Sequence, residues 1–143
     1  MLVSTMLRDK GGSVATVRPD STVMDVVKRL KEERVGALVV SEDDHRVAGI
    51  VSERDVVRSL AGKGLDAMNL LARDIMTSRV ITCSPNDELA ALMRMMTEHR
   101  IRHLPVVEAD VMCGIISIGD VVKNRVDELE HEAEALREYI QTG

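Results

Sequence analysis

The chain has 143 residues, 45% hydrophobic and 30% charged, with a net charge of −5. That size and composition fit a soluble globular protein with a real core, and the acidic balance argues against general nucleic-acid binding, which needs a basic footprint. No Trp, no Phe and a single Tyr, Tyr139, also leave no base-stacking platforms.

Val, Leu, Ile and Met must therefore fill the interior, and the nine methionines read as adaptable gap-fillers. No apolar run approaches the ~18–20 residues of a membrane helix. The N-terminus, Met1 to Met6, has no charged region ahead of a long apolar stretch, so no signal peptide is visible. Cys83 and Cys113 make no disulfide framework and read as buried thiols in apolar, strand-like runs. A cytoplasmic protein is expected, with no membrane and no nucleic acid among its partners.

In chain order, Val14 to Val17 reads as a short strand before Pro19, and Asp20 and Ser21 are N-cap candidates for the helix that follows. Val23, Val26, Val27 and Leu30 then recur at i, i+3, i+4, i+7, the period of an amphipathic helix. Val35 to Val40 is a short buried strand. Asp43-Asp44-His45 marks a hairpin turn, and the run from Gly49 to Val57 leads a strand into a helix. Ala61 to Thr77 connects onward, with a short helix expected over Asp66–Leu71.

The same pattern then returns 66 residues later. Val80 to Pro85 matches Val14 to Pro19, with Asn86 and Asp87 as N-cap candidates. Leu89, Leu92, Met93 and Met96 match the first helix, and Ile101 to Val106 matches the strand. After a turn at Glu108-Ala109-Asp110, Gly114 to Val122 matches Gly49 to Val57. Each copy reads β-α-β-β-α. A unit of ~60 residues buries too little surface to be secure alone. The predicted fold class is α/β (α+β): two repeats packed with pseudo-twofold symmetry around a shared core, in one module over residues 1–143. Repeat 1 covers about 7–62, the linker about 63–72 and repeat 2 about 73–125.

A C-terminal helical extension runs to about 141. Val122, Val126, Leu129, Ala133, Leu136 and Ile140 are spaced 4, 3, 4, 3, 4. That is a heptad-like seam of about two and a half heptads, short of the three to four that argue for a coiled coil. It fits a helix lying on its own domain or one packing across a dimer.

Two segments carry possible chemistry. Gly-apolar-apolar-Ser-x-x-Asp occurs twice, ending at Asp55 and Asp120. Ser followed three residues later by Asp is nearly a capping box, which would only start a helix. The same geometry puts an Asp and a Ser hydroxyl at a helix N-terminus with a positive dipole end, where the Asp can accept two hydrogen bonds from a ribose diol. The second segment is Arg100 to Val107. Arg102 and His103 precede a buried strand, and Pro105 within it removes one ladder donor, which suits an edge or a ligand contact. The cations there fit either phosphate contacts or a solvated pair. Repeat 1 has Gly36-Ala37-Leu38 in that place.

No catalytic or metal site is expected. His45, His99, His103 and His131 show no ligand spacing with cysteine. Gly-x-Ser-x-Gly, Gly-x-Gly-x-x-Gly and Walker-type loops are absent, and Lys10-Gly11-Gly12 reads as a flexible turn.

The runs Gly49 to Asp55, Asp74-Ile75-Met76-Thr77 and Arg102 to Val107 together resemble the cystathionine-β-synthase (CBS) domain family, over about Met6 to Arg125. The resemblance implies a pair of domains that binds AMP, ADP, ATP, NAD(H) or S-adenosylmethionine between the repeats and assembles into a disc-like homodimer. It also implies crossed sites. One would use Ser52, Arg54 and Asp55 with Ile81, Thr82, Arg102, His103 and Pro105. The other would use Ser117 and Asp120 with Ala15, Thr16, Gly36, Ala37 and Leu38. With Gly119 where the first site has Arg54, and no Arg-His pair, the second should take AMP or stay empty, and the first should favour longer polyphosphates or a dinucleotide. The expected function is a non-catalytic adenine-nucleotide sensor that requires no cofactor and acts on an unidentified effector protein. The alternatives are a structural dimer with vestigial clefts and a nucleotide-processing enzyme.

Overall fold

A computed structural model describes residues 1–142. α1 (Val3–Lys10) leads into β1 (Thr16–Val17), α2 (Val23–Glu33), β2 (Ala37–Val40), β3 (Gly49–Ser52) and α3 (Glu53–Lys63). A 3-10 turn (Gly64–Asn69), which takes the place of the helix expected at Asp66–Leu71, and the short α4 (Ala72–Ile75) follow. Then come α5 (Leu89–His99), β4 (His103–Glu108), β5 (Val111–Ser117) and α6 (Ile118–Thr142). The mixed α/β architecture and the C-terminal helix are as expected.

The repeated helices form where the apolar period predicts. α2 buries Val23, Val26 and Leu30, and α5 buries Leu89, Leu92 and Met96. Their caps differ from expectation. Thr22 rather than Asp20 or Ser21 caps α2: its hydroxyl accepts from the Asp25 N–H at 3.1 Å, and Asp25 accepts in return from the Thr22 N–H at 3.3 Å. At α5 the N-cap is Glu88, with no side-chain cap, and Asp87 accepts from the Ser84 N–H at 2.7 Å instead. Both helices end on an arginine in the left-handed region, Arg34 (φ 55) and Arg100 (φ 54). Glycine is the usual residue at such a stop; a side chain there costs about 1–2 kcal/mol.

The first sheet has the order β1-β2-β3, with β1 parallel to β2 and β2 antiparallel to β3. The second contains only β4 and β5, antiparallel, with a bulge after Val106. The expected strand at Val80 to Cys83 shrinks to a single bridge between Cys83 and Val106. Proline explains the loss. In repeat 1 the Val39 N–H donates to the Ala15 carbonyl at 3.3 Å. The equivalent residue in repeat 2 is Pro105, which has no N–H. Only the bonds from Cys83 N–H to the Pro105 carbonyl (3.0 Å) and from Val107 N–H to the Cys83 carbonyl (2.8 Å) remain.

The hairpin turns lie where expected. In the first, Asp43 accepts from the backbone N–H groups of Arg46 and His45, both at 2.9 Å, and these bonds hold its carboxyl down to about 2. In the second, Ala109 (φ 50) and Asp110 (φ 64) both turn left-handed, as a two-residue hairpin loop requires.

The shared core resolves into two clusters. Leu92, Leu104, Val106, Ile116 and Val121 form one within repeat 2, and Val3 of α1 belongs to it. Val23, Val26, Leu38, Val51 and Val56 form the other within repeat 1, and Ala72 of α4 belongs to that. Each repeat is thus completed by the helix that precedes the other in sequence. The backbone contacts follow the same pattern. Val3 N–H donates to Asp87 (2.9 Å) and Ser4 N–H to Pro85 (2.9 Å); Ala72 N–H donates to Ser21 (2.7 Å) and Arg73 N–H to Pro19 (3.0 Å). Met6 and Leu7 therefore pack on repeat 2.

Val3→Ala should remove a fully buried side chain and destabilise the protein by about 1.5–3 kcal/mol. Chemical denaturation would show it as a lower midpoint with an unchanged slope; an unchanged midpoint would mean that α1 is an appendage.

Candidate functional site

β3 ends at Ser52 and β5 at Ser117, and each serine turns its strand into a helix. Both turns are complete capping boxes with Asp in the third position. Ser52 N–H and hydroxyl donate to Asp55 Oδ2 at 2.9 and 3.1 Å, and Asp55 N–H donates back to Ser52 Oγ at 3.4 Å. Ser117 and Asp120 repeat this at 2.8, 2.9 and 3.2 Å. The cap role is therefore real. It uses one carboxylate oxygen in each turn: among the described residues no hydrogen bond reaches Oδ1 of Asp55 or Asp120. Each serine hydroxyl commits its proton to the carboxylate.

Each turn is tied to the start of the strand beside it. Glu53 N–H donates to the Gly36 carbonyl (3.0 Å), and Ile118 N–H donates to the Arg102 carbonyl (2.8 Å). The two turns face one continuous cleft of about 860 Å³ between the repeats. Seven cations line it (Lys10, Arg34, Arg54, Arg58, Arg79, Arg100 and Arg102) against three carboxylates (Glu53, Asp55 and Asp120). A net-positive cleft in a chain of net charge −5 is a local focus for an anionic ligand.

The two ends of the cleft are not alike. Lys10, the last residue of α1, places its ammonium 2.5 Å from Asp120 Oδ2 and 2.8 Å from the Ile115 carbonyl. The expected flexible turn at Lys10-Gly11-Gly12 thus begins with a residue of the cleft. Burial works to raise the Asp120 pKa, but the Lys10 hydrogen bond and charge and the Ser117 donors outweigh it, and the carboxyl sits below its ordinary value. No cation pairs with Asp55 among the described residues. His103 is the second asymmetry. A Cβ on Gly36 would lie 3.3 Å from His103 Cε1. The space beside Gly36 is therefore filled by a ring from the other repeat. Burial, and then the Lys10 charge, lower the His103 pKa against the opposing pull of Glu53 and Asp120, which favours the neutral ring.

This architecture coincides with the sequence comparison. The CBS domain profile matches residues 7–62 and 72–127. The chain belongs to the CBS domain family. It is 38% identical over 149 residues to the mitochondrial CBS domain-containing protein CBSX3 of Arabidopsis thaliana, an alignment covering 99% of this chain and 72% of the relative. Among solved structures it is similar to a CBS-domain containing protein from Agrobacterium tumefaciens, at 41% identity and a TM-score of 0.85 over 87% of this chain and 99% of that one. A CBS domain protein from Pyrobaculum aerophilum, complexed with AMP, matches at 28% identity and a TM-score of 0.74 over 84% and 89%. CBS domain pairs are regulatory modules.

Of the predicted site residues in this CBS pair, Ser52, Arg54, Asp55, Ile81, Arg102, His103, Gly36, Ala37, Ser117 and Asp120 line the one cleft. The remaining five stand outside its lining. Leu38 and Pro105 are fully buried. Thr16 donates its hydroxyl to Asp44 (2.7 Å). Ala15 packs on the repeat 1 core, and Thr82 is exposed. Lys10, Glu53, Arg58 and Arg79 were missed, as were Arg34 and Arg100. The last two had a signal, because the repeat offset superposes them. No helix among the described residues is long and apolar enough to cross a membrane.

Lys10→Met isolates the pair at Asp120. The folded-state pKa of Asp120 is depressed, so its stabilisation is present above its unfolded pKa and fades as pH falls through the folded value. The variant should be less stable than the parent by about 0.5–1 kcal/mol near pH 7. Denaturation at decreasing pH should show that difference shrinking below about pH 4; a pH-independent difference would mean that packing, not charge, is lost.

Proposed function

We propose that this CBS pair binds adenine nucleotides in the cleft as a sensor and catalyses no reaction on them. The observation that carries this reading is the doubled turn: two helix-capping aspartates, each with a free Oδ1, face the same strongly cationic groove. A carboxylate oxygen there accepts a ribose hydroxyl. The surrounding guanidinium groups hold phosphate oxygens by charge-assisted hydrogen bonds. The AMP bound to the related Pyrobaculum aerophilum protein supports the same ligand class.

Loss of the ladder donor at Pro105 supplies a base-reading group. It leaves the carbonyl of Ile81, a residue of the cleft lining, free to accept from the exocyclic amine of adenine. Arg102 and His103 line the same cleft. A phosphate placed there favours the imidazolium that burial and Lys10 disfavour in the free protein, so binding draws a proton onto His103. Arg54 lies on the same wall, with its guanidinium 3.4 Å from the Arg100 carbonyl.

The two ends take ligand in order. The Asp55 end is open and takes the first nucleotide, including longer polyphosphates. The Asp120 end is closed by Lys10, so a second nucleotide must displace the ammonium or place its own anion beside it. Occupancy shifts the pair between arrangements of its two repeats, a population shift without chemistry, and a homodimer presents that shift to an effector protein.

Calorimetry and thermal shift with AMP, ADP, ATP, NAD⁺, NADH and S-adenosylmethionine test this. A nucleotide at ~100 times its Kd should add about 2.7 kcal/mol of stability. Asp55→Asn keeps an acceptor for the cap and should remove most of the first binding event at a cost of only about 0.3–1 kcal/mol in nucleotide-free stability. Lys10→Met should expose a second equivalent at the Asp120 end. A flat panel would leave the turns as helix caps only, and product from ATP would make the protein an enzyme.

A further inference from the structure

α6 behaves as two helices in one. Its first turns belong to repeat 2: Val121 is buried, and Ile118 packs on that core. From Leu129 to Thr142 every residue is exposed. The apolar side chains of this stretch lie bare, Leu129 at 48%, Leu136 at 60% and Ile140 at 69% exposure. A charged helix of this kind keeps an apolar stripe only where something covers it.

The side chains specify what covers it. With Val126, Ala133 and Ile140 at the a positions, Val122, Leu129 and Leu136 fall at d. Val126 and Ile140 at a are β-branched and Leu129 and Leu136 stand at d, the choice that favours two parallel strands, with Ala133 and Val122 as the departures. The flanks specify the same partner. Arg125 and Glu132 fall at g, and Glu130 and Arg137 at e. In a parallel, in-register pair each g residue meets the next e residue of the other helix. Arg125 then faces Glu130 of the second copy and Glu132 faces its Arg137, and both contacts occur twice by symmetry. An antiparallel pairing that layers Leu129 on Ala133 sets Glu130 near Glu130 and Glu132 near Glu132.

We propose that the exposed half of α6 forms a parallel two-stranded coiled coil with a second copy of this chain. The seam of about two and a half heptads is short for free peptides. Here each helix is already nucleated, because α6 starts inside repeat 2 at the Ser117–Asp120 cap, so the costly first turn is supplied by the fold. The parallel register places both CBS pairs at one end, with the Asp120 turn at the root of the coil.

Sedimentation equilibrium of the full chain, without nucleotide, tests this. The parent should sediment at twice its chain mass. Leu129→Asp/Leu136→Asp should halve the mass while circular dichroism and the melting of the two repeats report an intact fold. Ala133→Cys, at an a position, should form a disulfide between the two introduced thiols under mild oxidation, located by peptide mapping, with the parent as control for Cys83 and Cys113. A monomeric parent overturns the proposal. So does a double variant that keeps the parent's mass. A dimer in which the introduced thiols do not join overturns the parallel arrangement.

Discussion

The hydrogen bonds between Ser52 and Asp55, and between Ser117 and Asp120, fix how each strand becomes a helix and where that helix begins relative to the cleft. Both boxes use the same carboxylate oxygen, Oδ2. The other oxygen is left at a helix N-terminus, where the dipole favours negative charge. Because the N–H of the next residue is bonded to the neighbouring strand, at Gly36 in one repeat and Arg102 in the other, a shift of either turn would carry a cleft wall with it. A helix cap and a ligand contact are therefore compatible in one residue, and choosing between them is unnecessary.

Symmetry builds the cleft and its breaking gives the two ends different chemistry. The exchange of α1 and α4 between repeats brings Lys10 to repeat 2, where it pairs with Asp120. Repeat 1 receives Ala72 and Ile75 from α4, and Asp55 keeps an open carboxylate. The strand start is Gly36 in one copy and Arg102 in the other, and His103 crosses to fill the space at Gly36. Pro105 removes a ladder bond in repeat 2 alone. Each difference is one or two residues deep, yet together they separate an open end from one closed by a cation.

The repeat made most of the fold legible, because two copies of the same apolar period support each other. α2, α5 and both hairpins fell where the pattern put them. What escaped depends on contacts the local pattern does not encode. Thr22 outcompeted Asp20 and Ser21 because the helix starts two residues later than the proline suggests. The left-handed stops at Arg34 and Arg100 occupy positions where glycine is the usual signal. Lys10 meets a residue 110 positions away through a flexible side chain, which no spacing rule reveals. At the site, the paired aspartates and the Arg102-His103 step were legible as motifs. Their merger into one groove was not, since it depends on how the repeats face each other.

The central claim is that Asp55 reads a ribose diol, and titration calorimetry with AMP and 2′-deoxy-AMP tests it most directly. Both ligands carry the same base and phosphate and differ in one hydroxyl. AMP should bind at least about tenfold more tightly, the equivalent of ~1.4 kcal/mol for a hydrogen bond to a charged group. Equal affinities, or no binding by either, would contradict the account and leave the carboxylates as caps alone.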